Sequence, residues 1–370
     1  MRSWYRFLFP VLVLVEGCSQ EGAPSPSITS PPPREFRVGS SAPTYAVVRV
    51  FYATDRNLTL SANASERYGS ERGGMDYGTC DVSIPRDHRL GELEAPSIWK
   101  LEFRKNPEKH VVLLEVARQE KAAYFSQLAA RIGATRRRNA FIFVHGYNVT
   151  FEDAARRTAQ MSYDLGFDGA PVFYSWPSQG TLAGYPVDES NIEWTQTHLQ
   201  GFLNDVLSQT GATNLYLIAH SMGNRALTRA FASLLAEVPD GGRRIREVIL
   251  AAPDIDADVF KRDIAPQIAT ADTLVTLYAS AADKALLASK EFHGYPRAGD
   301  AGAGLILAPP IQTIDATAVD TSLLGHSYFA EDPSVLGDLF YLIREGKSAD
   351  ERFSLDPVDT ASGRYWIFKK

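Results

Sequence analysis

A serine on a tight turn between an apolar strand and a helix is one way a chain makes a nucleophile of a weak hydroxyl. Such a turn is written at Ala219-His220-Ser221-Met222-Gly223-Asn224. Leu215–Ala219 reads as a buried strand and Met222–Leu235 as a helix. Small residues at 219 and 223 let the turn pass close to neighbouring backbone. The start of the helix turns amide N–H groups and the positive end of its dipole toward whatever Ser221 attacks. The bland alternative for Ser221 is an ordinary helix N-cap. A second turn, His145-Gly146-Tyr147-Asn148, follows the apolar run Phe141-Ile142-Phe143-Val144. Gly146 allows close backbone approach, so the N–H groups of Tyr147 and Met222 are the pair expected to hold a developing oxyanion. His145 reads as a turn residue rather than a base.

A nucleophilic serine needs a base, and the base needs an orienting acid. Asp283 lies in the loop after the strand Leu274–Ala279, and His326 in Gly325-His326-Ser327-Tyr328 after the strand Ile311–Ala316. His326 would take the proton from Ser221 and return it to the leaving group, while Asp283 fixes its tautomer. Asp254, in Pro253-Asp254-Ile255-Asp256 after the strand Val248–Ala251, is the alternative acid, and Asp256 suits a helix cap better. His293 is the nearest rival to His326. Ser175 and Trp176 follow the strand Pro171–Ser175, so they are expected to line the cleft and touch substrate; core packing is an equal account of the tryptophan. Residues 178–191 read as part of a cap and 291–310 as a mobile flap. No histidine cluster offers a metal site, the glycine fingerprint of a dinucleotide site is missing, and no cofactor is called for.

The elements that must carry these residues alternate. Tyr45–Ala53, Cys80–Ile84 and Val111–Val116 read as opening strands, partly antiparallel, followed by a helix at Ala122–Ile132. From residue 140 short apolar strands exchange with helices at Phe151–Leu165, Ile192–Leu207, Met222–Leu235, Ala257–Ile268 and Val335–Arg344. That rhythm predicts an α/β fold with a mostly parallel central sheet and helices on both faces, over residues 44–370 as one unit. Ligands of such sheets sit at the carboxyl ends of the strands, where Ser221, Asp283, Asp254 and His326 all fall.

Ahead of the body, Arg2 and Arg6 bracket a short positive segment, and Phe7–Val15 is apolar. Residues 1–18 therefore read as an export signal. Val15-Glu16-Gly17-Cys18 resembles the bacterial lipobox, with Glu16 where a small or apolar residue is usual. Cys18 is the expected lipidation site; an ordinary signal peptide with an incidental cysteine is the alternative. Residues 19–43, rich in Pro, Ser and Thr, read as a semi-extended linker. A lipid on Cys18 would leave Cys80 as a free or buried thiol. The expected location is the cell envelope, exported and membrane-anchored, periplasmic or at the outer membrane. Lys and Arg number 38 against 44 Asp and Glu, a net charge of −6 in 370 residues. That balance excludes a generally basic nucleic-acid binder. Two cysteines exclude a disulfide-dense scaffold.

These motifs together resemble a bacterial branch of the α/β-hydrolase superfamily, esterase- or lipase-like and formerly of unknown function. The matching stretches are Val50–Arg56, Phe143–Asn148, Tyr174–Ser178, Ala219–Asn224, Ala252–Asp256, Tyr278–Ser280 with Asp283, and Gly325–Tyr328. The resemblance implies the α/β-hydrolase fold, the chain order Ser221, Asp283, His326, and a serine hydrolase cleaving a small-molecule or lipid ester through an acyl-enzyme. The same nucleophile would serve an acyltransferase, amidase or thioesterase, and a non-catalytic hydrolase fold acting as an envelope binding protein is a different class of reading. The motif Tyr52-Ala53-Thr54-Asp55-Arg56 carries no chemistry of its own and reads as an Asp–Arg pair bracing loops.

Overall fold

A computed structural model describes residues 44–97, 102–269, 273–319 and 332–369. The expected signal segment with Cys18, the linker 19–43 and His326 lie outside the described residues. Seven strands form a parallel core: β1 (Tyr45–Leu58), β4 (Asn139–Val144), β5 (Ala170–Ser175), β6 (Asn214–His220), β7 (Ile245–Ala251), β8 (Leu274–Ala279) and β9 (Gln312–Asp315). One edge is extended by β2 (Tyr68–Pro85) and β3 (Val112–Gln119), antiparallel to their neighbours. At the other edge β11 (Gly363–Phe368) runs parallel to β9 and carries β10 (Leu355–Thr360) antiparallel to itself. The spatial order is β10-β11-β9-β8-β7-β6-β4-β5-β1-β2-β3.

The central strands are mostly apolar because both faces are covered. Alternate residues of β4 point to opposite sides. Ile142 and Val144 pack with Tyr124 and Leu128 of α1 (Lys121–Gly133), Leu199 and Phe202 of α3 (Tyr185–Gln209), and Leu227 and Phe231 of α4 (Gly223–Glu237). Phe141 and Phe143 pack with Ala154 and Met161 of α2 (Phe151–Asp164) and with Leu336 and Leu339 of the helix Pro333–Phe340. Thr150 starts α2 with a capping box, its hydroxyl accepting from the Asp153 N–H at 3.2 Å. Pairing of Thr54 with Ser175, Val144 with Ala219, His220 with Ala251 and Ala279 with Asp315 brings the carboxyl ends of the parallel strands to one rim.

The structure extends the expected sheet by the hairpin of β10 and β11. The strand Leu355-Asp356-Pro357-Val358-Asp359-Thr360 has little apolar alternation because it is an edge strand, where Pro357 withholds no needed donor. The hairpin is tied inward by Arg352, which is fully buried. Its Nη1 donates to Asp338 Oδ2 at 2.7 Å, an oxygen that also accepts from Tyr278 O–H at 2.6 Å, and Ser354 donates to Asp338 Oδ1 at 2.8 Å. Cys80 is free and buried.

His88 makes a second clasp, on the loop after β2. Its Nδ1 lies 2.9 Å from Glu94 and its Nε2 2.9 Å from Asp164, the last residue of α2. Burial opposes the imidazolium, but the two carboxylates overrule it and push its pKa to about 9. A raised folded-state pKa contributes stability fully below the ordinary value of 6.5 and loses it as pH rises through about 9. Thermal melts between pH 6 and 10 should show the wild type losing more stability on the alkaline side than His88→Gln, which should be weaker at pH 7 and flatter. Parallel curves would take His88 out of the account.

Candidate active site

β6 delivers Ser221 to the rim at φ +51°, a left-handed conformation that costs a residue with a Cβ. The surroundings hold it there. Ser221 N–H donates to Ala251 O at 2.9 Å. Ser221 O accepts from Asn224 N–H at 3.1 Å, from the Asn224 side-chain amide at 2.9 Å and from Asp254 N–H at 3.2 Å. The same Asn224 amide reaches Ala251 O at 3.0 Å, so one side chain joins the turn to the end of β7. At position 223 only glycine fits: a Cβ there would lie 2.4 Å from His145 O and 2.7 Å from Val144 O. At Gly146 a Cβ would stand 3.0 Å from Ser221 Cβ and 3.1 Å from His220 Nδ1. The turn after β4 and the turn after β6 are thus in contact through their glycines, with Tyr147 next after one and Met222 next after Ser221. α4 begins at Gly223 with Met222 as its cap residue.

His145 is buried and bonded on both ring nitrogens. Nδ1 lies 2.8 Å from Gly146 O and must carry the proton, so Nε2 accepts from Ser175 O–H at 3.1 Å. Burial and the nearby Arg56 guanidinium hold its pKa well below the ordinary value, so it stays neutral. Ser175 and Trp176 do not line a cleft as expected. Both are without solvent exposure: Ser175 O accepts from Thr54 O–H at 2.7 Å, and Trp176 stacks on His145 at 5.2 Å while its indole N–H donates to His145 O at 2.8 Å. They brace the rim from behind.

Arg56 organises that bracing. The guanidinium, almost fully buried, donates to Ser175 Oγ at 2.8 Å, to Gly69 O and Ser178 O at 2.9 Å, and to Val149 O at 2.7 Å. It pins the loops after β4 and β5 to the β1–β2 hairpin. Burial lowers its pKa to about 10, against the pull of Asp55, Asp188 and Asp153, and it remains charged at neutral pH. The expected Asp–Arg pair holds only for the arginine's bracing. The Asp55 carboxylate turns to α3, where it accepts from Thr195 O–H and meets His198 Nδ1 at 3.1 Å.

The two acids differ in what they face. Asp254 is buried and both its oxygens are engaged. Oδ1 accepts from Arg297 Nε at 2.8 Å and Ser289 O–H at 2.7 Å; Oδ2 accepts from Tyr185 O–H at 2.6 Å and Arg225 Nη2 at 3.1 Å. Burial works against the charge, but Arg225 and Arg297, with the two hydroxyls, hold its pKa at about 2. Asp283 follows β8 and is fully buried. Its Oδ1 accepts from Ala285 N–H and Leu286 N–H, both at 3.0 Å, and caps the helix Lys284–His293. Asp256 caps the next turn, as its position foretold. The pKa of the Tyr147 phenol is raised, first by burial and then by the charges of Asp254, Asp283 and Asp188.

His293, the rival base, is engaged by Glu189 at 2.8 Å and by Ser289 O at 2.7 Å. Residues 291–310, expected as a flap, contain a buried run, Arg297–Asp300, wedged between the ends of β7 and β8. Gly299 N–H donates to Pro253 O and its carbonyl accepts from Ser280 N–H, both at 2.9 Å. Of the expected cap, residues 185–191 are the first two turns of α3. Among the described residues no group of three or more His, Cys, Asp or Glu side chains is placed to hold a metal ion.

A mostly parallel sheet covered by helices on both faces, with a left-handed serine at a strand–helix turn, defines an α/β-hydrolase fold. Residues 120–345 match the family described as "Alpha/beta hydrolase of unknown function (DUF900)", and the chain belongs to that family. Among solved structures it is similar to Aspergillus fumigatus lipase B, with 11% identity and a TM-score of 0.38 over 58% of this chain and 54% of the lipase. The chain thus spans about half the length of that lipase. A Pyrobaculum calidifontis esterase is similar with 9% identity and a TM-score of 0.32, over 74% of this chain and 83% of the esterase. Phospholipase PlaB from Legionella pneumophila has 11% identity and a TM-score of 0.27, over 63% of this chain and 69% of the phospholipase. Likenesses this distant assign no activity. No curated protein matches.

Proposed function

We propose that the protein is a serine hydrolase that cleaves carboxylic esters through an acyl-enzyme. Ser221 attacks the carbonyl carbon, His326 takes its proton and passes it to the leaving alcohol, and Asp283 orients the imidazole. The N–H groups of Tyr147 and Met222 hold the oxyanion. Water, deprotonated by His326, then attacks the acyl-enzyme and releases the acid. The observation that carries this reading is Ser221 at φ +51°, held by four hydrogen bonds at the rim where the Gly146 turn touches it. A strained residue kept by so many partners points to a use for the strain.

Asp283 is preferred to Asp254 because the Asp254 carboxylate is saturated by four donors, two of them guanidinium groups. Such a group has neither a free oxygen nor the uncompensated charge that steadies an imidazolium. Export and lipidation at Cys18 belong to the same reading, with the hydrolase tethered at the cell envelope. The experiment is treatment of the full chain with a fluorophosphonate. The expected result is a single covalent adduct on the peptide carrying Ser221. A folded chain that takes no label and turns over no ester is a binding protein instead.

A further inference from the structure

Large apolar side chains scattered singly on a surface need no explanation, but a cluster does. Among the described residues eleven are exposed, and five of them fall on two short segments that meet beside the rim. Leu182, 72% exposed, and Val187 lie on the turn and first residues that open α3. Leu287, Phe292 and Tyr295, the last two 67% and 62% exposed, lie on and just after the helix that Asp283 caps. The two segments touch through the rings of Tyr185 and Phe292, whose centroids are 6.0 Å apart.

The patch is continuous with the candidate active site. Tyr147, next to the glycine that abuts Ser221, meets Tyr185 edge-on at 5.2 Å, and Tyr185 meets Phe292. A line of aromatic rings thus runs from the rim out to the exposed collar. Leu182-Ala183-Gly184-Tyr185-Pro186-Val187 carries no charge over six residues. Of the neighbouring charges, Glu189 is spent on Arg225 and His293, Lys290 on Asp300 and Asp188 on Ser178, while Glu291 is exposed beside Phe292. With most of the neighbouring charge taken up internally, the collar matches an apolar surface without net charge. A lipid–water interface has that character, and phenol and phenyl rings suit the boundary between headgroup and acyl chain. Twenty-six residues follow Cys18 up to Thr44, and a Pro-rich chain of that length can span up to roughly 80 Å at about 3.1 Å each. A chain held at Cys18 has the slack to lay its collar on the same membrane.

We propose that Leu182, Val187, Leu287, Phe292 and Tyr295 seat the protein on an uncharged lipid–water surface, so that its substrates are acyl esters of lipids drawn from that surface. The substrate half rests on the serine-hydrolase reading; the seating half does not. The test uses the full chain carrying Cys18→Ser, which removes any covalent lipid, with and without Leu182→Ser, Phe292→Ser and Tyr295→Ser together. Flotation with phosphatidylcholine vesicles is the first readout. The ratio of hydrolysis of a vesicle-embedded long-chain ester to that of a soluble short ester is the second, and melting temperature checks the fold.

The Cys18→Ser chain should float with the vesicles, and the triple serine variant should lose about tenfold in both partition and ratio at unchanged melting temperature. No flotation of the Cys18→Ser chain, or equal flotation of both chains, overturns the seating even where short esters are cleaved. A triple variant that merely turns a dimer into a monomer by light scattering also overturns it, since the collar is then a contact between copies. Flotation without hydrolysis of any ester leaves the seating standing, and overturns the hydrolase reading and the substrate half with it.

Discussion

Replacing Ser221 by alanine is expected to lower turnover of a short p-nitrophenyl ester by about 10⁴–10⁶-fold and to abolish fluorophosphonate labelling. Alanine keeps the backbone bonds to Ala251, Asn224 and Asp254, so the melting temperature should hold. His326→Ala should cost several orders of magnitude too, and the double variant should be scarcely worse than either single one. Nucleophile and base act as a unit, and once one is gone the other has nothing to do. Near wild-type turnover in a folded His326→Ala protein would remove that residue from the mechanism. Additive losses in the double variant would mean the two side chains do not work together.

The two aspartates should separate along different axes. Asn is as good a helix cap as Asp, so Asp283→Asn preserves the bonds from Ala285 and Leu286 and should leave stability within about 1 kcal/mol. Its turnover should fall by about 10⁴-fold, because an amide presents the imidazole with the wrong tautomer and no charge. Asp254→Asn should do the reverse. It leaves Arg297 buried against a neutral group and Arg225 with Glu189 as its remaining carboxylate, a loss of about 3–5 kcal/mol and so a melting temperature lower by about 10 °C. Its turnover, measured well below the melting point, should exceed that of Asp283→Asn by at least tenfold. If Asp254→Asn is the slower of the two, the acid is Asp254.

Much of this site was legible in one sequence because its signals are local. The run Phe141–Val144 and the turn Ala219–Gly223 each place a glycine after a buried strand, and each glycine proves to be a close contact. What was not legible depends on distant partners. Asp254 and Asp283 are alike in sequence, each after a strand and before a helix. The groups that tell them apart, Tyr185, Arg225, Ser289 and Arg297, come from four segments. Trp176, after a strand, fits a cleft residue and a core residue equally well in sequence; its ring covers His145, and only the fold brings the two together. The hairpin of β10 and β11 escaped notice because an edge strand half open to water needs no apolar alternation. The left-handed Ala252 at the end of β7 had no signal at all, alanine being a poor marker for positive φ.

The arginine clamp bears on where this protein can be cut. Arg56 stands on β1, well ahead of residue 120, where the family match begins, yet it ties together the loops after β4 and β5 that back the serine turn. A fragment trimmed to residues 120–345 would leave Val149 O, Ser175 Oγ and Ser178 O without their donor and strip β5 of its outer neighbour. The stretch that matches the family is therefore not a minimal folded unit. Anyone shortening this chain for expression has to keep the flanking strands, because the far edge of the sheet is part of the scaffold that backs the serine turn.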